Sequence, residues 1–127
     1  EMRFTDLEIK GMTFENVYRG TYGEGFYGCN DAIVFVLDEE NKYVLTHVQD
    51  DFEFVEIESI DGDLSDLIGE PLLIAEEAYE EGVLGLRGTY SFYKFATIKG
   101  YVTIRFLGDG DEFYSEEAEL FKLPYTR

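Results

Sequence analysis

Residues 90–107 read YSFYKFATIKGYVTIRFL, and this stretch decides the fold. Two runs of aromatic and β-branched residues flank Lys99-Gly100, and residues of this kind fit the pleated surface of a strand. Two such runs joined by a short turn are typical of a β-hairpin. The stretch therefore predicts an antiparallel hairpin with strands over 90–98 and 101–107.

Similar patterns extend outward through the rest of the chain. Residues 32–37 and 43–48 are apolar runs separated by a polar turn, which predicts a second hairpin. The alternation between 52 and 58 slips at Phe54-Val55, which predicts a β-bulge in a further strand. The remaining strands are predicted over 13–20, over 72–78, where residues 75–78 also suit a helix, and over 113–123, which Pro124 ends.

One short helical turn is predicted over 63–69, because Asp63 suits the N-cap position and Gly69 suits the end. Many short strands with little helix favour a mainly β fold, either a curled antiparallel sheet or a small barrel. The chain has 127 residues, and no Pro, Gly or Ser-rich linker divides it. A single domain over 1–127 is therefore expected.

Charge excludes two classes of function. The chain holds 28 Asp and Glu against 10 Lys and Arg, a net charge of −18. Nucleic-acid binding depends on cationic side chains that neutralise phosphates, so direct binding to DNA, RNA or an anionic membrane is not expected. The chain has one cysteine, no apolar run long enough to span a bilayer, and no secretion-signal pattern at its start. These features favour action in a cytoplasm.

The negative charge is concentrated in the middle of the chain. Residues 38–81 contain 16 acidic residues and only one basic residue, Lys42. Alternate acids on one strand project from the same face about 6.5–7 Å apart, which is close to the spacing of backbone phosphates. One hypothesis is that this segment imitates DNA and occupies the basic groove of another protein; the alternative is that the acids serve solubility alone. The candidate partner-binding residues are Asp50, Asp51, Glu53, Glu56, Glu58, Asp61, Asp63 and Asp66.

Catalytic and metal-binding patterns are weak. Cys29 and His47 are single residues of their kinds, and a nucleophilic pair needs both to meet a third orienting group. Residues 61–66 supply oxygens at alternating positions, but a calcium loop needs Gly and Glu where this chain has Asp66 and Leu72. The sequence therefore predicts no enzymatic activity, no cofactor and no dedicated metal site, and leaves weak Ca²⁺ or Mg²⁺ binding open.

Two other patterns carry no chemistry. Neighbouring acids such as Glu56 and Glu58 are expected by chance in a chain with 28 acids, although paired carboxylates also serve glycoside hydrolysis. The acids over 109–112 fail the same calcium-loop test. Residues 20–28 are glycine-rich but lack the ending of a phosphate loop and the spacing of a dinucleotide fingerprint. Their Tyr and Phe residues indicate a contact loop instead.

Several motifs together resemble a known family. They are GDLSDLIGEPLLIAEE over 62–77, SFYKFATIKGYVTIR over 91–105, HVQD over 47–50 and FYS over 113–115. Together they resemble a domain family of unknown function found mainly in tailed bacteriophages and prophages, over most of residues 31–122. This chain has Asp50-Asp51-Phe52 where that family has Asp-Cys-Cys, so the resemblance supports no thiol-based metal or redox role.

The resemblance implies a phage or prophage origin and action in the cytoplasm of a bacterial host, and it brings no reaction or ligand. Combined with the charge, it predicts an acidic binding protein that inhibits a host nuclease, DNA-binding protein or defence protein. The alternative is an accessory module of a virion or its assembly, with a homo-oligomer formed through an exposed strand edge.

Overall fold

The computed structural model describes residues 5–22, 30–46, 54–81, 89–109 and 118–123. Within these residues the secondary structure is almost entirely β, as the sequence predicts. The strands are β1 (Thr5–Asp6), β2 (Asn16–Tyr22), β3 (Asn30–Val36), β4 (Lys42–Thr46), β5 (Phe54–Asp61), β6 (Ile74–Glu81), β7 (Thr89–Thr97), β8 (Gly100–Asp109) and β9 (Glu119–Leu123); a 3₁₀ turn spans Leu64–Leu67.

The strands form two antiparallel sheets. The first sheet has the order β1-β6-β7-β8-β5, and the second has the order β2-β3-β4-β9. Two separate sheets mean that the described strands do not close into a barrel, so that version of the predicted mainly β fold is not adopted. The sheets face each other around a shared core instead.

Aromatic rings join the two sheets. Phe35 of β3 and Phe95 of β7 are both fully buried, and their ring centroids lie 5.0 Å apart across the interface. Phe14, which lies just before β2, also packs on Phe35, with the two ring centroids 5.3 Å apart. The hydroxyl of buried Tyr93 donates a hydrogen bond of 3.0 Å to the carbonyl of Ala118, just before β9. This polar link satisfies the one polar atom of a large core side chain.

Both predicted hairpins are confirmed. Strands β3 and β4 pair across the 38–41 turn, and β7 and β8 pair across a turn at Ile98 and Lys99. Strand β6 shows that 75–78 is extended, so the helical alternative is wrong. Residues 74–81 pair in unbroken register with β7, from Ile74 opposite Ala96 to Glu81 opposite Thr89, and Ala75 and Ala78 are buried on opposite faces of the strand.

The predicted β-bulge exists but at another position. Phe54 and Val55 pair in regular register with Asp109 and Gly108, and the register shifts between Ile57 and Ser59. The extra residue is therefore Glu58, whose carboxylate reaches Arg105 of β8 at 2.6 Å. The predicted position at Phe54-Val55 is wrong. The alternation of apolar and polar residues along one strand does not show where its register against the next strand shifts.

The predicted helical turn is confirmed as a single 3₁₀ turn with Asp63 as its N-cap. Gly69 follows it with φ +83°, the left-handed conformation that glycine adopts at low cost. Gly62, at φ +108°, packs so closely against β8 that a Cβ would overlap the carbonyl oxygen of Tyr101. This contact fixes the segment after β5 against the start of β8.

Candidate functional site

Eight carboxylates lie at one end of the two-sheet structure, and we call this group the acidic end. They come from three separate stretches of chain, and each side chain is exposed or half-buried. At this end β5 finishes, β8 begins, β3 finishes and β4 begins. The members are Glu15, Asp38, Glu39, Glu40, Asp61, Asp63, Asp66 and Glu70.

Backbone hydrogen bonds hold the three stretches together. The Gly69 N–H donates to the Phe14 carbonyl at 2.8 Å, which ties the segment after the 3₁₀ turn to the start of β2. The next residue, Glu15, donates its N–H to the Val36 carbonyl at 2.9 Å, two residues before Asp38. On the other side, the Thr97 hydroxyl donates to the Asp66 carbonyl. The positions of the acids are therefore set by the fold of both sheets.

The β3–β4 turn forms because Asp38 organises it. One carboxylate oxygen, Oδ1, accepts from the N–H of Glu40 at 2.8 Å and from the N–H of Asn41 at 2.9 Å. The Asn41 side-chain amide donates to the same carboxylate. These donors hold the pKa of Asp38 below its ordinary value of 3.8, since they favour the charged form. The turn thus begins with a carboxylate that is ionised at neutral pH.

Asp63 organises the 3₁₀ turn in the same way, because its carboxylate accepts hydrogen bonds from a residue of the turn. Its Oδ1 accepts from the Ser65 hydroxyl at 2.7 Å and from the Ser65 N–H at 2.9 Å. These two bonds lower the pKa of Asp63 from 3.8. The sequence pattern Asp-Leu-Ser supplies both the cap and its donors within three residues, which explains why this short segment turns here.

Ammonium groups are interleaved with the acidic end but are fewer. The Lys99 Nζ donates to the Ser65 carbonyl at 3.3 Å, beside the 3₁₀ turn. The charge of Lys122 acts on Asp38. Lys42 begins β4 next to the 38–41 turn. Three ammonium groups against eight carboxylates leave this end negative among the described residues.

The structure places five of the eight predicted partner-binding residues. Asp61, Asp63 and Asp66 lie together at the acidic end. Glu56 and Glu58 lie further back along β5, and Glu58 is engaged with Arg105. Asp50, Asp51 and Glu53 lie outside the described residues. The five placed residues therefore follow one sheet edge and its end, with a cation among them.

Sequence reasoning missed the other members of the acidic end. Glu15 precedes a strand in a stretch with few acids, and only the backbone bond to Val36 brings it to the 38–40 turn. Asp38, Glu39 and Glu40 form a predicted turn and begin the acid-rich segment 38–81, but they are not among the eight candidate partner-binding residues. The signal that was present is their position in the acid-rich segment 38–81, but the pairing of β2 with β3 is needed to see which acids are neighbours.

A second acidic group lies away from this end. Asp6, Glu8, Glu77 and Glu119 line an open cavity of about 410 Å³ between β1, β6 and the start of β9. We call it the acidic cavity. Across the described part of the chain, no three His, Cys, Asp or Glu side chains are arranged to hold a metal ion. Cys29, His47 and the acids at 111–112 lie outside the described residues, as does most of the glycine-rich stretch 20–28.

Comparison with known proteins gives a family. A family model for a domain of unknown function, DUF7448, matches residues 7–120. The chain belongs to the DUF7448 family. The matched range of the DUF7448 domain contains the whole acidic end and strands β2 to β8. Searches of curated proteins and of solved structures each found no match.

The described ranges contain no helix that is both long and apolar enough to cross a membrane. The helical structure of the DUF7448 domain in these ranges is the four-residue 3₁₀ turn, and that turn is only partly apolar.

Proposed function

We propose that this protein is a non-enzymatic acidic binding protein whose acidic end occupies the nucleic-acid-binding surface of another protein. In the setting that the phage resemblance implies, the target is a nuclease, DNA-binding protein or defence protein of the bacterial host. The observation that supports the proposal most is the gathering of eight carboxylates from three stretches of chain at one end of the fold.

Fixed positions favour this role. A partner that binds DNA presents Lys and Arg in a groove, and carboxylates already held in place lose little conformational freedom when they bind there. Asp38 and Asp63 are held by hydrogen bonds within their turns, and their lowered pKa values keep them charged at every physiological pH. A solubility role requires charge but no such fixed arrangement.

Long-range electrostatic attraction raises the rate at which the protein meets a cationic partner. A negative end on a chain of net charge −18 steers a cationic partner from a distance, and this attraction is screened over about 8–10 Å at physiological salt. Binding is therefore expected to weaken as salt rises. A basic partner captured on the immobilised protein should elute at moderate salt.

The test is capture followed by displacement with DNA. The immobilised chain is exposed to a bacterial lysate at low salt, and bound proteins are then eluted with duplex DNA at constant ionic strength. If the acidic end occupies a DNA-binding surface, duplex DNA releases the captured protein because the two compete for one site. A captured protein that duplex DNA leaves in place would contradict the proposal.

A matched pair of variants separates position from total charge. The triple substitution Asp61→Asn, Asp63→Asn and Asp66→Asn removes three charges from the acidic end with little change in shape. The triple substitution Asp6→Asn, Glu8→Gln and Glu119→Gln removes three charges from the acidic cavity. The proposal predicts loss of capture for the first triple only; equal loss for both would indicate attraction by net charge alone.

A further inference from the structure

The most exposed large apolar side chains of the described residues lie at the β7–β8 turn, beside the acidic end. Ile98 stands in the turn, Tyr101 is the second residue of β8, and each is 74% exposed. The residue opposite Tyr101 on β7 is Ala96, whose side chain is too small to cover a phenol ring. The ring is therefore open to a partner. We call Ile98 and Tyr101 the apolar tip.

Tyr101 adjoins the carboxylates of the acidic end. Asp61 pairs in register with Thr103 of β8, and Tyr101 lies two residues before Thr103 on the same outer face of the first sheet. Diagonal neighbours of this kind lie about 7–8 Å apart, within reach of an aromatic side chain. The Asp66 carboxylate lies against the backbone just before Tyr101, where a Cβ at Gly100 would be 2.6 Å from Asp66 Oδ2. One surface therefore presents an exposed ring together with carboxylates.

The fold holds the ring and these carboxylates in fixed relative positions. Gly62 packs against the carbonyl of Tyr101, and the Thr97 hydroxyl donates to the carbonyl of Asp66. Both contacts join the segment 61–66 to the β7–β8 hairpin through backbone atoms. A partner that binds here therefore does not have to order the surface first, which favours affinity.

A ring beside carboxylates resembles an unpaired nucleotide more than a duplex. In a duplex the bases stack on one another, so a protein meets phosphates and base edges but no base faces. A single strand exposes its base faces next to its phosphates. Proteins that bind single strands accordingly combine a positively charged groove with aromatic side chains on which the bases stack. The apolar tip and the acidic end offer such a groove both kinds of group.

We propose that the partner surface is one that binds single-stranded nucleic acid. Tyr101 stacks where a base would stack, and Asp61, Asp63 and Asp66 face the cations that otherwise hold phosphates. Ile98 adds apolar contact beside the ring. This inference rests on the proposed function and narrows its partner class. The same cationic groove also attracts duplex DNA through its phosphates, but more weakly, because a duplex offers no open base face.

One cation lies within the apolar tip. Lys99 stands between Ile98 and Tyr101, and its Nζ donates to the Ser65 carbonyl at 3.3 Å. Its charge opposes a cationic groove, whereas burial of a ring does not depend on the sign of the partner's charge. Lys99→Gln should therefore tighten binding at low salt. Weaker binding by Lys99→Gln would contradict a cationic partner surface at this turn.

Displacement by two kinds of DNA tests the partner class. Proteins captured on the immobilised chain from a bacterial lysate are eluted at constant ionic strength with a thymine-only single strand, which does not pair with itself, or with a duplex of equal length. The inference predicts release by the single strand at a concentration at least about tenfold lower. Equal release by both, or better release by the duplex, would overturn the inference and leave the proposed function standing. Release by neither, or a lysate from which nothing is retained, would overturn both.

Substitutions at Tyr101 separate stacking from charge. Tyr101→Ser should weaken binding of the captured protein about tenfold, and Tyr101→Phe, which keeps the ring, should bind like the wild type. Tyr18→Ser, which removes an exposed aromatic side chain of the second sheet, is the matched control and should leave binding unchanged. The loss in Tyr101→Ser should be similar at low and high salt, whereas the loss in the Asp61, Asp63 and Asp66 triple should shrink as salt rises. Wild-type binding by Tyr101→Ser, or an equal loss in Tyr101→Phe, would overturn the inference.

Discussion

Two neighbouring parts of the first sheet differ in sign. Residues 54–70, which form β5 and the 3₁₀ turn, contain six acids and no basic residue. Residues 89–109, which form β7 and β8, contain three basic residues and one acid. Since β5 pairs with β8, the two parts share a core and a hydrogen-bonded boundary. The inward-facing residues of both parts pack in one shared core. Their outward-facing residues differ in charge, so one part presents a negative surface and the other a net positive one.

Polar contacts lie on both sides of β5, the strand that forms the boundary between the two parts. Glu58 at the bulge meets Arg105 of β8 at 2.6 Å. On the open side of β5, the Asp31 carboxylate accepts from the Ile57 N–H at 3.4 Å and from Arg19 at 3.2 Å. A carboxylate at a strand edge discourages pairing with another strand. An edge-to-edge oligomer through β5, one form of the sequence-based alternative, is therefore disfavoured.

The shared core carries the largest expected effect. Phe95→Ala removes a fully buried ring that contacts Phe35 of the other sheet, and it should lower the free energy of unfolding by about 3–5 kcal/mol. Tyr101→Ala, on the same hairpin but mostly exposed, should change it by less than about 0.5 kcal/mol. Urea unfolding monitored by circular dichroism measures both. Similar losses for the two variants would show that the two sheets do not share the core described here.

The close contact between Gly62 and β8, which joins the two parts, is expected to be the next most sensitive to substitution. Gly62→Ala combines a left-handed backbone with an overlap against the Tyr101 carbonyl, and it should cost about 1–3 kcal/mol or more. Gly69→Ala has a similar backbone conformation but open space around its Cβ, so it should cost about 1 kcal/mol. Urea unfolding monitored by circular dichroism measures both costs. Equal costs would mean that the segment after β5 does not rest on β8.

These positions also show what a sequence can and cannot predict. The hairpin over 90–107 was predictable because alternation and a turn signal are both local. The Asp63 cap was predictable for the same reason, since its donors lie two residues away. The bulge at Glu58 was not, because it arises in the pairing of β5 with β8, where Glu58 meets Arg105, 47 residues further along the chain.

The candidate surface was predictable only in part. Asp61, Asp63 and Asp66 are close in sequence and are close in the fold. Glu15 joins them only because β2 pairs with β3, and no local pattern encodes that pairing.

The ion pair at the boundary should contribute less than either of the preceding features. The Glu58 and Arg105 side chains are 29% and 38% exposed, so water screens their attraction. A double-mutant cycle with Glu58→Gln and Arg105→Gln should give a coupling below about 1 kcal/mol, and smaller still at high salt. A much larger coupling that salt does not reduce would mean that the pair anchors the two parts.

The smallest expected effect is on the pH dependence of stability. The pKa of Asp63 is lowered in the folded state, so its stabilising contribution is present above its ordinary value of 3.8 and is lost as pH falls through the lowered pKa. Asp63→Asn keeps a capping oxygen without the charge. The Tm of the wild type should therefore fall more steeply below pH 4 than that of Asp63→Asn. Parallel profiles for the two proteins would rule out a charge-dependent cap.

Competition with DNA tests the central claim most directly. A labelled duplex is bound to the protein captured from the lysate, and fluorescence anisotropy follows its displacement by the wild-type chain and by the two triple variants. The proposal predicts competitive displacement by the wild type and by the acidic-cavity triple, and at least about tenfold weaker displacement by the Asp61, Asp63 and Asp66 triple. Equal displacement by both triples, or a duplex that stays bound while the wild-type chain binds beside it, would contradict the claim that the acidic end takes the place of nucleic acid.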